Sequence, residues 1–194
     1  IPYASLEDLL AAAREKGEAP FLVLADGVED PHNLGAVIRS ALLCGAHGVV
    51  IPKRGGAAVT PTVLKSSAGA AARLPVARVA NLTSLLKELK EEGVWVFGTA
   101  AGGTNLPQAI RDLKKQNIFV YCADLGGAPL EKTDLSGPVA LVLGSEGKGV
   151  SPLVRKLCDG AVSLSMAGRG TGVDSFNVSV AAGIILYEIA RQRR

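Results

Sequence analysis

Aromatic residues make up only 4% of this chain, so its core must be built mainly from aliphatic and small side chains. Ala, Val, Leu and Gly dominate instead, and small residues with β-branched strands suit close packing of helices on a sheet. Cysteine is scarce too. Cys44, Cys122 and Cys158 are odd in number, far apart and without metal-ligand spacing. They exclude a disulfide framework and read as buried apolar residues of a reducing compartment. The two histidines, His32 and His47, lack the spacing and partners of a metal site, and no metal is expected. No Ser-His-Asp set and no carboxylate pair stands out. No apolar run approaches membrane-spanning length and nothing resembles a signal peptide, so no membrane partner is expected and the location expected is cytoplasmic. Net charge is only +3, which excludes a polybasic nucleic-acid coat. Any RNA contact must come from a local patch. Arg191, Arg193 and Arg194 form one, but a basic last helical turn is ordinary dipole compensation, and they are read so.

What is present is an alternation. The 194 residues, 48% of them hydrophobic, are enough for one domain with a sizeable core. Short buried-strand candidates fall at Phe21–Ala25, Gly48–Ile51, Val76–Val79, Val94–Phe97 and Val139–Leu143. Helical patterns lie between them: about Leu34 to Cys44 after the start signal Asp30-Pro31-His32-Asn33, Thr60-Pro61 through Ala70, and Leu82 to Glu92. A last helix runs from about Asn177 to Gln192. Alternation of this kind argues a parallel α/β sheet whose site is formed by loops at the strand C-termini. Residues 1–20 read as an N-terminal linking segment and 21–194 as the domain. The chain begins at Ile1 rather than Met, as expected of a piece of a longer chain.

Residues 81–103 and 105–127 read as tandem copies offset by 24 positions. Asn81-Leu82 matches Asn105-Leu106, Val94-Trp95-Val96-Phe97 matches Ile118-Phe119-Val120-Tyr121, and Gly102-Gly103 matches Gly126-Gly127. Each copy is a helix, a strand and a Gly turn, so the chain carries one extra αβ unit. Shared binary patterning would explain part of this, but the pairwise identities favour a duplication.

Three segments hold residues that could carry chemistry. In Asp30–Ser40, Arg39 lies two turns inside a helix starting near Asn33, roughly 9 Å along its axis. A charged residue among Val37, Ile38 and Leu42 needs a partner. A salt bridge, a snorkelling side chain and a clamp on phosphate or carboxylate all remain open. Leu143–Ser151 leaves a buried strand and enters a helix at Ser151-Pro152. It is neither a Walker loop nor a dinucleotide fingerprint, because the glycine spacing is wrong. Gly144, Gly147 and Gly149 around Glu146 and Lys148 are more glycines than a plain turn needs, and favour a binding loop. In Asp174–Gly183, Ser175 reads first as the N-cap of the last helix, with Asp174 an alternative. Asn177 is harder to explain away, because asparagine is poor inside a helix and needs a task there.

Together these segments resemble the three motifs of the SPOUT superfamily, TrmH type, the knotted RNA ribose 2′-O-methyltransferases; the bacterial 23S rRNA guanosine branch is most similar. The motifs are Asn-Leu-Gly-x-x-x-Arg-Ser at 33–40, Gly-Ser-Glu-Gly-x-Gly at 144–149 and Ser-Phe-Asn-Val-Ser-Val-Ala at 175–181. The likeness covers the chain from Phe21 onward. It implies an α/β fold with a deep C-terminal trefoil knot, an exception to the rule that chains do not thread loops. It implies a homodimer with the site near the interface, RNA as partner (rRNA first, tRNA second), and S-adenosylmethionine as cofactor. It also implies roles: Arg39, Asn33, Glu146, Ser175 and Asn177 as catalytic residues, and Leu143, Gly144, Gly147, Leu164, Met166 and Phe176 around the cofactor. Gly98 and Thr99 of the first repeat copy compete with Cys122 and Ala123 of the second for one cofactor-binding place. The segment Met166–Ser175, with Arg169-Gly170-Thr171-Gly172, is longer than the family pattern. Pro2–Leu10 resembles the linker that follows an N-terminal RNA-binding domain of ribosomal L30 type in many relatives.

The reaction implied is in-line methyl transfer to a ribose 2′-hydroxyl, a weak nucleophile that needs a proton acceptor or a positioned charge. Arginine holds its proton too firmly for a simple general base. Arg39 is therefore read as a clamp on a neighbouring RNA phosphate, which accepts the proton or acidifies the hydroxyl. Asn33 and Asn177 orient RNA and cofactor, and Glu146 and Ser175 order the site. Three alternatives stay open: transfer RNA or a resistance-type rRNA target, a non-catalytic RNA-binding module on the same fold, and an ordinary nucleotide-binding α/β protein.

Overall fold

In a computed structural model, residues 2–80, 106–168 and 170–194 are described. The first repeat copy, with its expected helix Leu82–Glu92, strand Val94–Phe97 and Gly98-Thr99, lies outside the described residues, as does Arg169. The elements are α1 (Leu6–Lys16), β1 (Phe21–Asp26), α2 (Pro31–Leu43), β2 (Gly48–Pro52), α3 (Pro61–Ser66), β3 (Val76–Val79), α4 (Leu106–Lys115), β4 (Phe119–Pro129), β5 (Val139–Gly144), α5 (Pro152–Leu157), β6 (Gly160–Ser163) and α6 (Val178–Gln192). The strands form one sheet in the order β3-β2-β1-β5-β4-β6, and every pairing is parallel.

The continuous apolar runs are explained by burial on both faces. Side chains alternate across a strand. Phe21, Val23, Ala25, Leu141 and Leu143 point to one face, packed with α2 and α6. Leu22, Leu24, Ala140 and Val142 point to the other, against α1, α4 and Val154 of α5. After β5 the chain therefore crosses one face through α5, adds β6 outside β4, and returns on the opposite face as α6.

Four sequence expectations shift. The segment before Phe21 is more than a linker: Ser5 and Asp8 form a capping box that opens α1, and Gly17, in the left-handed region at φ 66°, ends it. Leu9 and Leu10 are buried in the core, each worth roughly 1.5–3 kcal/mol. A Cβ on Gly48 would sit 2.2 Å from Leu9 Cγ, so glycine there makes room for the helix. The helix expected through Ala70 stops at Ser66, because Ala68 and Gly69 turn left-handed at φ 51° and 81°. A 3₁₀ turn over Ala70–Ala72 follows. Gly126-Gly127 is not a turn after a strand; it lies inside β4, where the register against β6 jumps between Ala123 and Ala128. A Cβ on Gly127 would meet the Ala161 carbonyl carbon at 2.6 Å, so only glycine lets β6 approach there. The basic last turn does more than balance a dipole. Arg193 donates to the carbonyls of Gly137 and Ala19 and covers the Phe21 ring at 5.4 Å, pinning the end of α6 to the sheet. The thiols of Cys122 and Cys158 meet across β4 and the end of α5.

Candidate cofactor and RNA site

Each motif occupies a strand-to-helix junction at one edge of the sheet. After Asp26, Gly27 takes φ 82° and the Asp30 carboxylate accepts from His32 N–H at 2.8 Å, with Pro31 as first helical residue. That start puts Asn33 in the first turn of α2, only 7% exposed. Arg39 lies farther along α2, exposed, and makes no hydrogen bond or ion pair among the described residues. It is neither a buried salt bridge nor part of the cavity wall described below.

The glycines after β5 have separate reasons. A Cβ on Gly144 would lie 2.1 Å from the Gly149 carbonyl carbon. Gly147 and Gly149 adopt φ 83° and 68°, a region other L-residues enter at a cost. Ser145 and Gly149 exchange backbone hydrogen bonds at 3.1 and 2.9 Å, closing a tight loop that presents Glu146. Its far end is held from outside: Ser151 N–H donates to the Asp26 carboxylate at 2.9 Å.

In the third motif the cap is not Ser175. Asn177 caps α6, its Oδ1 accepting from the N–H groups of Ser179 at 2.9 Å and Val180 at 3.3 Å. The helix starts two residues later than a Ser175 cap would allow, and Ser175 is left exposed on the cavity wall. The task that asparagine needed is thus partly capping. The other half of its amide does something else. Asn177 Nδ2 donates to Glu146 Oε1 at 2.9 Å and to Asn33 Oδ1 at 3.2 Å, while Asn33 Nδ2 reaches the same Glu146 oxygen at 3.4 Å. One carboxylate oxygen therefore joins all three motifs. It lies at the positive end of α6, where an anion is favoured.

This cluster borders a cavity of about 620 Å³ between the ends of β4, β5 and β6 and the start of α6, a size ordinary for small-molecule sites. Ala123, Leu143, Gly144, Glu146, Gly147, Leu164, Met166, Ser175, Phe176 and Asn177 line it. Cys122 is buried behind the wall. The second repeat copy thus borders the cavity through Ala123. Asp124, Leu125, Lys148, Val162, Ser163 and Ile185 also line it and were not anticipated. The Gly126-Gly127 pair marked the bulge that carries Asp124 and Leu125, and Asp124 is fixed there by Arg155 at 3.3 Å. Asp26 was also missed, because nothing local signals a partner so distant in the chain. Among the described residues no His/Cys/Asp/Glu group could hold a metal, and no helix is long and apolar enough to cross a membrane.

The wall suits an organic cofactor with polar edges. The loop 145–150 and the Leu164–Met166 segment offer backbone groups, and Leu143, Met166, Phe176 and Ile185 offer apolar surface. A parallel sheet with a glycine loop and cavity at its C-terminal edge defines a cofactor-binding α/β domain. The sequence profile of the SpoU rRNA methylase family matches residues 20–109 and 103–187, two pieces that meet where the repeat copies join. The chain belongs to this family and is a SPOUT protein of TrmH type. It is 46% identical over 191 residues to YacO of Bacillus subtilis, assigned to the TrmH family of tRNA/rRNA methyltransferases, covering 98% of this chain and 66% of that one. Among solved structures it resembles the SpoU methyltransferase AviRb of Streptomyces viridochromogenes with bound AdoMet, at TM-score 0.74 and 29% identity over 100% of this chain and 63% of AviRb. It also resembles an RNA 2′-O ribose methyltransferase, at TM-score 0.68 and 27% identity over 100% of this chain and 60% of that one. The chain thus spans 60–66% of the length of each of these relatives, and 53% of several mycobacterial ones it also matches. The fold is shared with knotted proteins, and the family cofactor is S-adenosylmethionine.

Proposed function

We propose that this chain is the catalytic domain of an RNA methyltransferase that acts on a ribose 2′-hydroxyl, with a guanosine of 23S rRNA as the first target to test. The observation that supports this most is the convergence of Asn33, Glu146 and Asn177, from three distant segments, onto one hydrogen-bonded cluster at the cavity edge.

The bound cofactor supplies an electrophilic methyl group on a sulfonium. The chain's own residues do the rest. Backbone groups of Gly144–Gly147 and Leu164–Met166 hold the adenosine end, and Phe176 shields it. The Glu146 cluster keeps the start of α6 and the glycine loop in one arrangement, so that substrate meets a preformed wall. Arg39, exposed and without a hydrogen-bond or ion-pair partner among the described residues, is placed to grip an RNA phosphate with its fork of N–H groups. The 2′-hydroxyl proton passes to an oxygen of that phosphate.

Arg39 lies away from the cavity wall, which fits a homodimer in which α2 and α6 form the contact. Gly183 of α6 packs near Ser40 of α2. Beside this seam the outer face carries Leu43, Val180, Ile184 and Tyr187, between 41% and 78% exposed. A second copy on this face would bring its own Arg39 near the cavity.

Arg39→Ala tests the reading. Transfer of tritiated methyl to total RNA falls by about 10²–10³, the loss typical of one removed electrostatic stabiliser, while calorimetric cofactor binding is unchanged. Retained transfer would refute the role. Mapping the labelled nucleotide names the target, and cofactor binding with no transfer to any RNA would favour the non-catalytic module.

A further inference from the structure

The loop that forms one wall of the cavity carries few bonds of its own. Between Gly144 and Ser151 its internal backbone hydrogen bonds are the Ser145–Gly149 pair. Three glycines make it costly to order. Its two ends meet at a single side chain. Asp26, the last residue of β1, pairs in register with Gly144, where the loop begins. Its Oδ2 accepts the N–H of Ser151, where the loop ends, at 2.9 Å. Ser151 precedes α5 as its N-cap, yet its own side chain makes no capping hydrogen bond, and the next residue is Pro152. Asp26 thus binds the N–H of the N-cap residue itself and ties the loop's exit to the end of β1.

We infer that Asp26 is a positioning residue for cofactor binding: its carboxylate clamps the base of the 145–150 loop and so sets the position of the residues that line the cavity. This rests on the cavity being the cofactor site. The adjoining Gly27 strengthens the geometry, since a Cβ there would lie 3.5 Å from Ser145 Cβ, leaving β1's exit in contact with the loop. A charged acceptor is the stronger clamp, because hydrogen bonds to ionised groups are about twice as strong as neutral ones.

Two variants remove the bond from opposite sides. Asp26→Ala deletes the acceptor. Ser151→Pro deletes the donor while suiting the backbone, since Ser151 already has φ −60°. Both are expected to weaken S-adenosylmethionine binding, measured calorimetrically, by about tenfold, raising KM for the cofactor more than they lower kcat. Asp26→Asn, which keeps an acceptor oxygen, recovers most of the affinity. Ser5→Ala, which breaks the α1 cap away from the cavity, lowers thermal stability without changing affinity. Wild-type affinity in either clamp variant overturns the proposal, as does an equal loss in Ser5→Ala. Leu164→Trp, which fills the cavity, separates the two questions. If it also binds like wild type, the cavity reading has failed; if it alone loses binding, only the role of Asp26 has.

Discussion

Asn177 does two tasks with the two ends of one amide, and substitutions can part them. Asn177→Ala removes both. Losing the cap on Ser179 and Val180 costs about 0.5–2 kcal/mol. Losing the donor to the Glu146 carboxylate adds about 1.5 kcal/mol, the low end for a charge-assisted bond because the pair is exposed to solvent. A total of about 2–3.5 kcal/mol lowers Tm by roughly 4–14 °C in a domain of this size. Asn177→Asp keeps the cap, since aspartate caps as well as asparagine. It places a carboxylate oxygen where Nδ2 now sits, 2.9 Å from Glu146 Oε1. Like charges that close repel by more than 1 kcal/mol even at the dielectric constant of water. The loop must move, so cofactor affinity falls although α6 stays capped. Adding Glu146→Gln supplies an amide donor to the new aspartate and restores binding. Thermal denaturation and calorimetry on the four proteins read both effects. The reasoning fails if Asn177→Asp and Asn177→Ala lose stability and affinity in the same proportion, or if Glu146→Gln brings no recovery.

Two further outcomes are expected. His47 is almost fully buried, accepting from Phe21 N–H at 3.0 Å and facing Glu18 at 2.8 Å. Burial outweighs the Glu18 contact and holds its folded pKa below the ordinary histidine value of 6.5. The unfolded chain then binds a proton that the native one refuses, so stability is full above about pH 7 and falls as pH drops through 6.5 toward the folded pKa. Urea denaturation should show this step and His47→Gln should remove it; an unchanged profile in the variant would exclude His47 as its source. On the α2–α6 face, Ile184→Glu with Tyr187→Glu should yield monomers in sedimentation velocity, and a persisting dimer would place the contact elsewhere.

The parallel α/β class was legible because a strand buried on both faces reads as an unbroken apolar run, as at Phe21–Ala25 and Val139–Leu143. The three motif segments were legible because glycines and polar residues at strand ends have few structural excuses. Less legible was anything requiring two distant segments at once. Ser175 and Asn177 are equally good caps by composition, and the choice fell to Asn177 because its amide also meets Glu146. The stop of α3 at Ser66 depended on a left-handed turn at Ala68 and Gly69 rather than on helix propensity alone.

Local chemistry in the sequence determined where the buried strands and the Asp30-Pro31 and Thr60-Pro61 helix starts form, since each depends on neighbours a few residues away. Tertiary structure alone decided that Asp26 would hold Ser151, that Cys122 would meet Cys158, and that β4 would bulge at Gly127 to open a cavity wall. Those contacts join residues far apart in the chain, and only the packed sheet sets their distances.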